Sequence, residues 1–358
     1  MKKTLVAVAV AALAATSANA AVVYNQDGTK VELGGQLRLA LAKDKGERVD
    51  LKYGSSRLIT NVTHDLGDGF SALANVDLRF NDAGSEYDPD NSDFGGDVYA
   101  YNLYAGFAKE GVGALTFGRQ DTNLDALGIS DYTYDLGDVK QTHNHDTKTA
   151  KFSSAEWNGF SFGLDYFFGN AKKDYTATST EQNGKGWGGA LFYTAEVAND
   201  TTLTLNGGFS KVKHFDRTAL VPDFNENAFV VGSELASGPF ALAVDYSENK
   251  ASGAEDATLD EFGTGTVTIN PNKLRALEVG VKYNYLENAK VYGEYQYFKA
   301  TPRSGDDKVT MNGFILGTDY WLTKNVVTYV EGGTFQYKDQ DNNKDRDNKV
   351  RLGLRVYF

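Results

Sequence analysis

Few side chains in this 358-residue sequence could carry covalent chemistry. It has no cysteine, which removes thiolate nucleophiles, disulfides and thiolate metal sites. Its four histidines are His64, His143, His145 and His214. His64 stands beside a turn and His214 in a loop. His143 and His145 would share a face if extended and could then hold a metal, but no clear third ligand accompanies them. No His-Glu-x-x-His pair occurs. What remains is charge. There are 36 Lys and Arg against 48 Asp and Glu, a net charge of −12. A nucleic-acid partner is disfavoured, because a phosphate backbone needs a basic face. No metal or other cofactor is expected.

The elements that position these charges alternate with period two. Val31, Leu33, Leu37, Leu39 and Leu41 oppose Glu32, Gln36 and Arg38. Phe160, Phe162, Leu164 and Tyr166 oppose Ser161, Gly163 and Asp165; Phe240, Leu242, Val244 and Tyr246 oppose Ala241, Ala243, Asp245 and Ser247; Leu277, Val279, Val281 and Tyr283 oppose Glu278, Gly280 and Lys282. One face suits apolar surroundings and the other suits water. No internal run reaches the roughly 20 apolar residues of a membrane helix, whereas strands of about 9 to 11 residues suffice for a tilted membrane strand. Short turns, such as Asp65 to Gly69, Lys109 to Gly113, Glu156 to Gly159, Ser237-Gly238 and Thr323 to Asn325, alternate with long polar segments. The latter run over 43–50, 81–96, 169–186, 247–273 and 338–348. This pattern predicts an all-β, transmembrane antiparallel β-barrel of sixteen strands in one domain (21–358). Eight strands would fill with their own side chains, but sixteen leave an aqueous lumen. Tyr295, Tyr297 and Tyr320 are expected in the interfacial aromatic girdles.

The two ends fit this reading. Lys2 and Lys3 precede an apolar run from Leu5 to Ala15 and a small-x-small site at Ala18-Asn19-Ala20, as in a secretory signal peptide. Cleavage after Ala20 would remove two lysines and take the net charge from −12 to −14. At the other end Val350, Leu352, Leu354, Val356 and Phe358 share a face opposite Arg351, Gly353 and Arg355.

Several segments resemble the Gram-negative general porins. Tyr24-Asn25-Gln26-Asp27-Gly28 resembles the turn into their first strand. Phe117-Gly118-Arg119-Gln120, Asp125-Ala126-Leu127-Gly128, Asp131 and Asp135-Leu136-Gly137 resemble their third extracellular loop, and Phe358 resembles their C-terminal assembly signal. The resemblance implies a homotrimer whose third loop folds into the lumen and sets acids against basic side chains of the wall. It assigns Asp131 and Asp135 to the loop, Arg38, Arg57 and Lys151 to the wall, and Arg119 to bracing the loop's base. It also implies partners: outer-membrane lipid and lipopolysaccharide, and the barrel assembly machinery. Glu86, Asp88, Asp90 and Asp93 could meet lipopolysaccharide through divalent cations. The chain departs from the family at Tyr101 and Asn102, where another arginine is common, at His143 and His145, which replace Arg, and at Val356, which replaces Tyr.

The function expected is passive, size-limited diffusion of ions and small hydrophilic solutes through the outer membrane of a Gram-negative bacterium. Opposed charges across a narrow gap would impose a transverse field on water and solute. Two alternatives stand beside it. Tyr132 and Tyr134 would suit a sugar-type channel. An outer-membrane barrel enzyme would need a nucleophile with an oriented base.

Overall fold

In a computed structural model, residues 20–80, 98–137, 141–169, 184–214, 224–253, 259–303 and 307–358 are described. The signal segment up to Asn19, Glu86, Asp88, Asp90 and Asp93 lie outside them, as does most of 169–186. Sixteen long strands follow in order: β1 (Thr29–Lys43), β2 (Arg57–Gly67), β3 (Phe70–Phe80), β4 (Val98–Lys109), β5 (Gly113–Asp121), β6 (His145–Ser154), β7 (Phe160–Phe167) and β8 (Gly186–Ala198). The second half comprises β9 (Thr201–His214), β10 (Phe224–Ser237), β11 (Phe240–Ser252), β12 (Lys273–Leu286), β13 (Ala289–Thr301), β14 (Val309–Thr323), β15 (Val326–Lys338) and β16 (Lys344–Tyr357).

Each strand pairs antiparallel with its neighbours in sequence, and β1 pairs with β16 to close the barrel. Closure leaves no long unpaired edge in hydrocarbon, where an unsatisfied N–H or C=O is costly. At the seam Arg38 lies opposite Arg355 and Leu41 opposite Leu352. Phe358 continues the ladder: its carbonyl accepts from Gly35 N at 2.8 Å, and its N–H donates to Gly35 O at 3.1 Å. The short strand Ala21–Gln26 pairs with the other end of β1, placing Ala21 opposite Leu33. Both ends of the described chain therefore meet along one strand.

Burial is inverted relative to a water-soluble sheet. In β16, Val350 and Leu352 are about half exposed, whereas Arg351 and Arg355 are buried. In β11, Phe240 and Leu242 are exposed, whereas Ala243 and Asp245 are buried. Exposed leucines beside buried arginines are what a wall with lipid outside and a polar interior requires. The short turns use left-handed residues, such as Asp68 at φ 50° and Gly69 at φ 73°. Tyr320 is exposed on the outer parity, and Tyr295 donates its hydroxyl to Asn312 at 2.9 Å.

Two boundaries differ from the sequence expectation. Strand β11 continues to Ser252, beyond the loop start expected at Ser247, and β16 begins at Lys344, inside the expected 338–348 loop. Both extensions are polar on each face, so hydrophobic alternation fades while backbone pairing persists.

Gly35 is needed where the seam closes. A Cβ there would lie 2.5 Å from the Arg57 carbonyl oxygen and 2.8 Å from the Phe358 ring. Replacing Gly35 with Val should cost about 1–3 kcal/mol, read as a lower urea midpoint for barrel unfolding. An unchanged midpoint would contradict this packing.

Candidate functional site

The site starts from a long connection between β5 and β6. Thr122 pins its mouth: its N–H donates to Asn144 O at 2.9 Å and its hydroxyl to His143 O at 2.9 Å. The same hydroxyl accepts from Leu124 N at 3.1 Å and caps a 3-10 turn, Asn123–Ala126. Asn123 N donates to both carboxylate oxygens of Asp165 on β7, each at 3.1 Å. Leu124 and Leu127 are buried against Phe167, Val212 and Val230, fixing the loop's first turn on β7, β9 and β10.

Beyond this turn the loop touches one wall strand after another. Ile129 N and Ser130 N donate to Asp245 Oδ2 on β11, at 2.7 and 2.5 Å. The Tyr132 hydroxyl donates to Glu234 on β10, while Lys290 Nζ on β13 donates to the Tyr132 carbonyl at 2.8 Å. The Tyr134 hydroxyl donates to Asp319 on β14 at 2.6 Å, and its ring stacks on Tyr329 of β15 with centroids 4.3 Å apart. Glu331 on β15 accepts both the Tyr134 N–H and, at 2.9 Å, the Asp135 N–H. Asp135 Oδ1 and the Tyr134 carbonyl then accept from Arg355 on β16, the former at 3.1 Å. Buried backbone N–H groups need acceptors, and ionised carboxylates make strong ones. The wall acids on the polar face supply them.

Opposite the acids of the loop runs a ladder of four arginines on adjoining strands. Arg355 faces Arg38 across the seam, Gln36 faces Arg57, and Arg57 faces Arg79. With its oxygen toward them, the Gln36 amide accepts from Arg38 at 2.9 and 3.0 Å and from Arg57 at 2.7 and 3.2 Å. Buried Asp77 lies 3.7 Å from Arg57 and 3.4 Å from Arg79. The Arg79 guanidinium sits 3.1 Å above the Tyr101 ring. Like charges this close persist because an amide oxygen and a carboxylate stand among them. A cavity of about 270 Å³ lies between Arg38 and the loop, lined by Asp131, Thr133, Asp135 and Gly137.

The residues singled out from sequence thus have distinct surroundings. Arg38, Asp131 and Asp135 share the cavity, and Arg57 joins Arg38 through Gln36. Asp131 Oδ1 accepts from Thr133 N at 2.8 Å and from its hydroxyl at 2.7 Å, a local turn. Lys151 instead donates to the Asp121 carbonyl at 2.9 Å, at the loop's root. Arg119 falls where the β5–β6 register slips between Gly118 and Gln120. The root's hydrogen bonds come from its neighbours: Gln120 accepts from Thr116 at 2.6 Å, and Asp121 accepts from Tyr101 at 2.7 Å. His143 pairs with Asp146 at 2.9 Å, whereas His145 stacks on Tyr101 and bonds its carbonyl. Gly159-Phe160-Ser161-Phe162-Gly163 has a nucleophile-elbow spacing, yet Ser161 lies within strand β7, opposite Phe192, rather than on a strand-to-helix turn. Arg79, Arg355 and Gln36 are additional members. Inward parity marks Arg355 and Gln36, but their meeting depends on the closing register.

A closed sixteen-stranded barrel with polar inner face and lipid-ready outer face defines a membrane channel. A Gram-negative porin family model matches residues 7–340. A major outer membrane protein of Pasteurella multocida is 43% identical over 369 residues, covering all of both chains. In fold, the chain matches OmpT, an outer membrane protein of Vibrio cholerae (18% identity, TM-score 0.71, covering 94% of this chain and 99% of that one). It also matches an anion-selective porin from Comamonas acidovorans (17% identity, TM-score 0.68, covering 92% and 100%). The chain belongs to the Gram-negative porins. It resides in the outer membrane and forms a channel for passive diffusion of small hydrophilic solutes.

The docking of the loop is testable. Asp245→Ala leaves two N–H groups without their acceptor, at about 1–3 kcal/mol each, and should expose the loop to limited proteolysis in an intact barrel. Asp245→Asn, which keeps an acceptor oxygen, should protect it largely as Asp245 does.

Proposed function

We propose that the loop residues from Thr122 to Gly137 cross the lumen as its constriction, with Asp131 and Asp135 on the loop side and the Arg38–Arg57 ladder on the wall side. The observation carrying this reading is the run of contacts from one loop to β10, β11, β13, β14, β15 and β16. Only a connection that leaves the wall between β5 and β6 and turns inward can meet all of these. The remaining gap sets Arg38 and the loop acids around one cavity in a partly desolvated space, where their field is stronger than in bulk water. Water and polar solutes align in that field, whereas an apolar solute must disorder the aligned water. Nothing in this mechanism needs energy coupling or bond chemistry, so the protein acts as a diffusion channel and not as an enzyme.

Asp135 is partly spent on Arg355, and Lys151 on the loop's root. Asp131 also hydrogen-bonds Glu294 on β13, so the charges bordering the cavity are Arg38 and the Asp131–Glu294 pair. A sugar-type slide is disfavoured because the ring faces are covered: Tyr134 stacks on Tyr329 at 4.3 Å, and Lys282 Nζ lies 4.4 Å over the Tyr132 ring. Residues 1–20 act as a cleaved signal peptide. The working unit is a homotrimer, as supported by the solved trimer form of Vibrio cholerae OmpT. Phe358 serves assembly by the outer-membrane barrel machinery, and acidic outer loops meet lipopolysaccharide.

Single-channel recording in a planar bilayer under a tenfold salt gradient tests the constriction. Asp131→Asn with Asp135→Asn should move the reversal potential toward anions, and Arg38→Gln toward cations. Each shift should be on the order of 10 mV, out of the ~59 mV such a gradient allows. Unmoved potentials in both variants would remove these residues from the conduction path.

A further inference from the structure

Between β11 and β12 the chain forms a small hairpin, Phe262–Thr264 against Val267–Ile269, turning at Gly265 with φ 59°. Its base is tied to the wall: Leu259 N donates to Pro271 O at 2.6 Å, and Asn272 N to Thr301 O at 2.8 Å. Two strands of three residues have little stability alone, so the order of this hairpin derives from what it packs on. Phe262 lies 5.8 Å, centroid to centroid, from Phe298 on β13 and 5.8 Å from Tyr337 on β15. Val267 is 1% exposed. The tip at Gly265 touches Asp345 at the outer end of β16, and Asp345 in turn pairs with Lys45 beyond β1.

These contacts fall on the lumen side of the wall. Phe298 shares the parity of Glu294 and Gln296, Tyr337 that of Glu331, and Asp345 that of Arg351 and Arg355. The inner face at this height is unusually apolar. Met311, Ile315 and Phe335 form a buried cluster with Phe298, against which Leu136 of the long loop and Phe262 of the hairpin pack. An apolar patch on a hydrated wall is unfavourable unless covered, and the hairpin covers it. Its reach from the β11–β12 side to Asp345 carries it inward over the mouth rather than out into solvent.

We propose that this hairpin is a second constriction at the outer mouth, in series with the charged gap, and that it limits solute size without setting charge preference. A solute must pass beside the hairpin before it meets the arginine ladder. The covering patch and the contact between Gly265 and Asp345 hold it there in the resting protein.

Two variants of the full chain test this in planar bilayers and in liposome swelling. Replacing 262–269 with two glycines should raise single-channel conductance roughly 1.5-fold and admit larger neutral sugars, with the reversal potential unchanged. Because the chain has no native cysteine, Gly265→Cys with Asp345→Cys can be oxidised to fix the hairpin in place. Current through the oxidised barrel should equal that of the reduced one. A folded deletion variant with unaltered conductance and size limit would overturn the proposal. So would a marked fall in current on oxidation, which would mean that the hairpin normally lies elsewhere.

Discussion

A backbone in hydrocarbon has no water to satisfy its N–H and C=O groups, and this constraint shapes the whole molecule. A sheet meets it only by closing on itself, so the seam between β1 and β16 matters as much as any side chain. Closure fixes register, and register decides which inward residues become neighbours. Arg38 meets Arg355 because the last strand must pair with the first. Gly35 admits the carbonyl of Arg57 and the terminal ring of Phe358 at the same seam. Which inward arginines stand side by side is thus a consequence of how the cylinder is joined.

The same constraint applies to the loop between β5 and β6. A loop packed against a wall carries backbone N–H groups away from bulk water, and these need acceptors. Asp245 and Glu331 each accept two successive N–H groups of the loop, and Asp165 takes the Asn123 N–H on both of its oxygens. The acids of this chain therefore divide into two kinds. Wall acids such as Asp245 and Glu331 hold the loop in place, whereas Asp131 on the loop lines the cavity that faces Arg38. Gly280 belongs to this arrangement as well, because a side chain there would collide with the carbonyl of Ser130.

Much of the fold was legible because period-two alternation survives in almost every strand, and some of the short turns carry Asp-Gly or Asn-Gly. Its failures have physical causes. Alternation vanished at strand ends where both faces become polar, so β11 and β16 run further than expected. Of the site, Arg38, Asp131 and Asp135 were accessible through parity and family resemblance. Parity also marked Arg355, but its meeting with Arg38, like that of Arg79 with Arg57, depends on the stagger of the closed sheet rather than on sequence distance. The register slips at Arg119, and among the described residues Gln120 and Asp121 carry hydrogen bonds at the loop's root. The inward apolar cluster around Phe298 and Phe335 could not be recognised either, since its cover comes from a loop distant in sequence.

The account rests on a water-filled lumen that is wide in the wall and narrow at the loop. Liposomes containing the purified protein, challenged with neutral sugars of increasing size, test this most directly. Rapid swelling with monosaccharides that falls steeply for larger oligosaccharides is the predicted result. Absence of swelling with every sugar, or equal rates for all sizes, would contradict it.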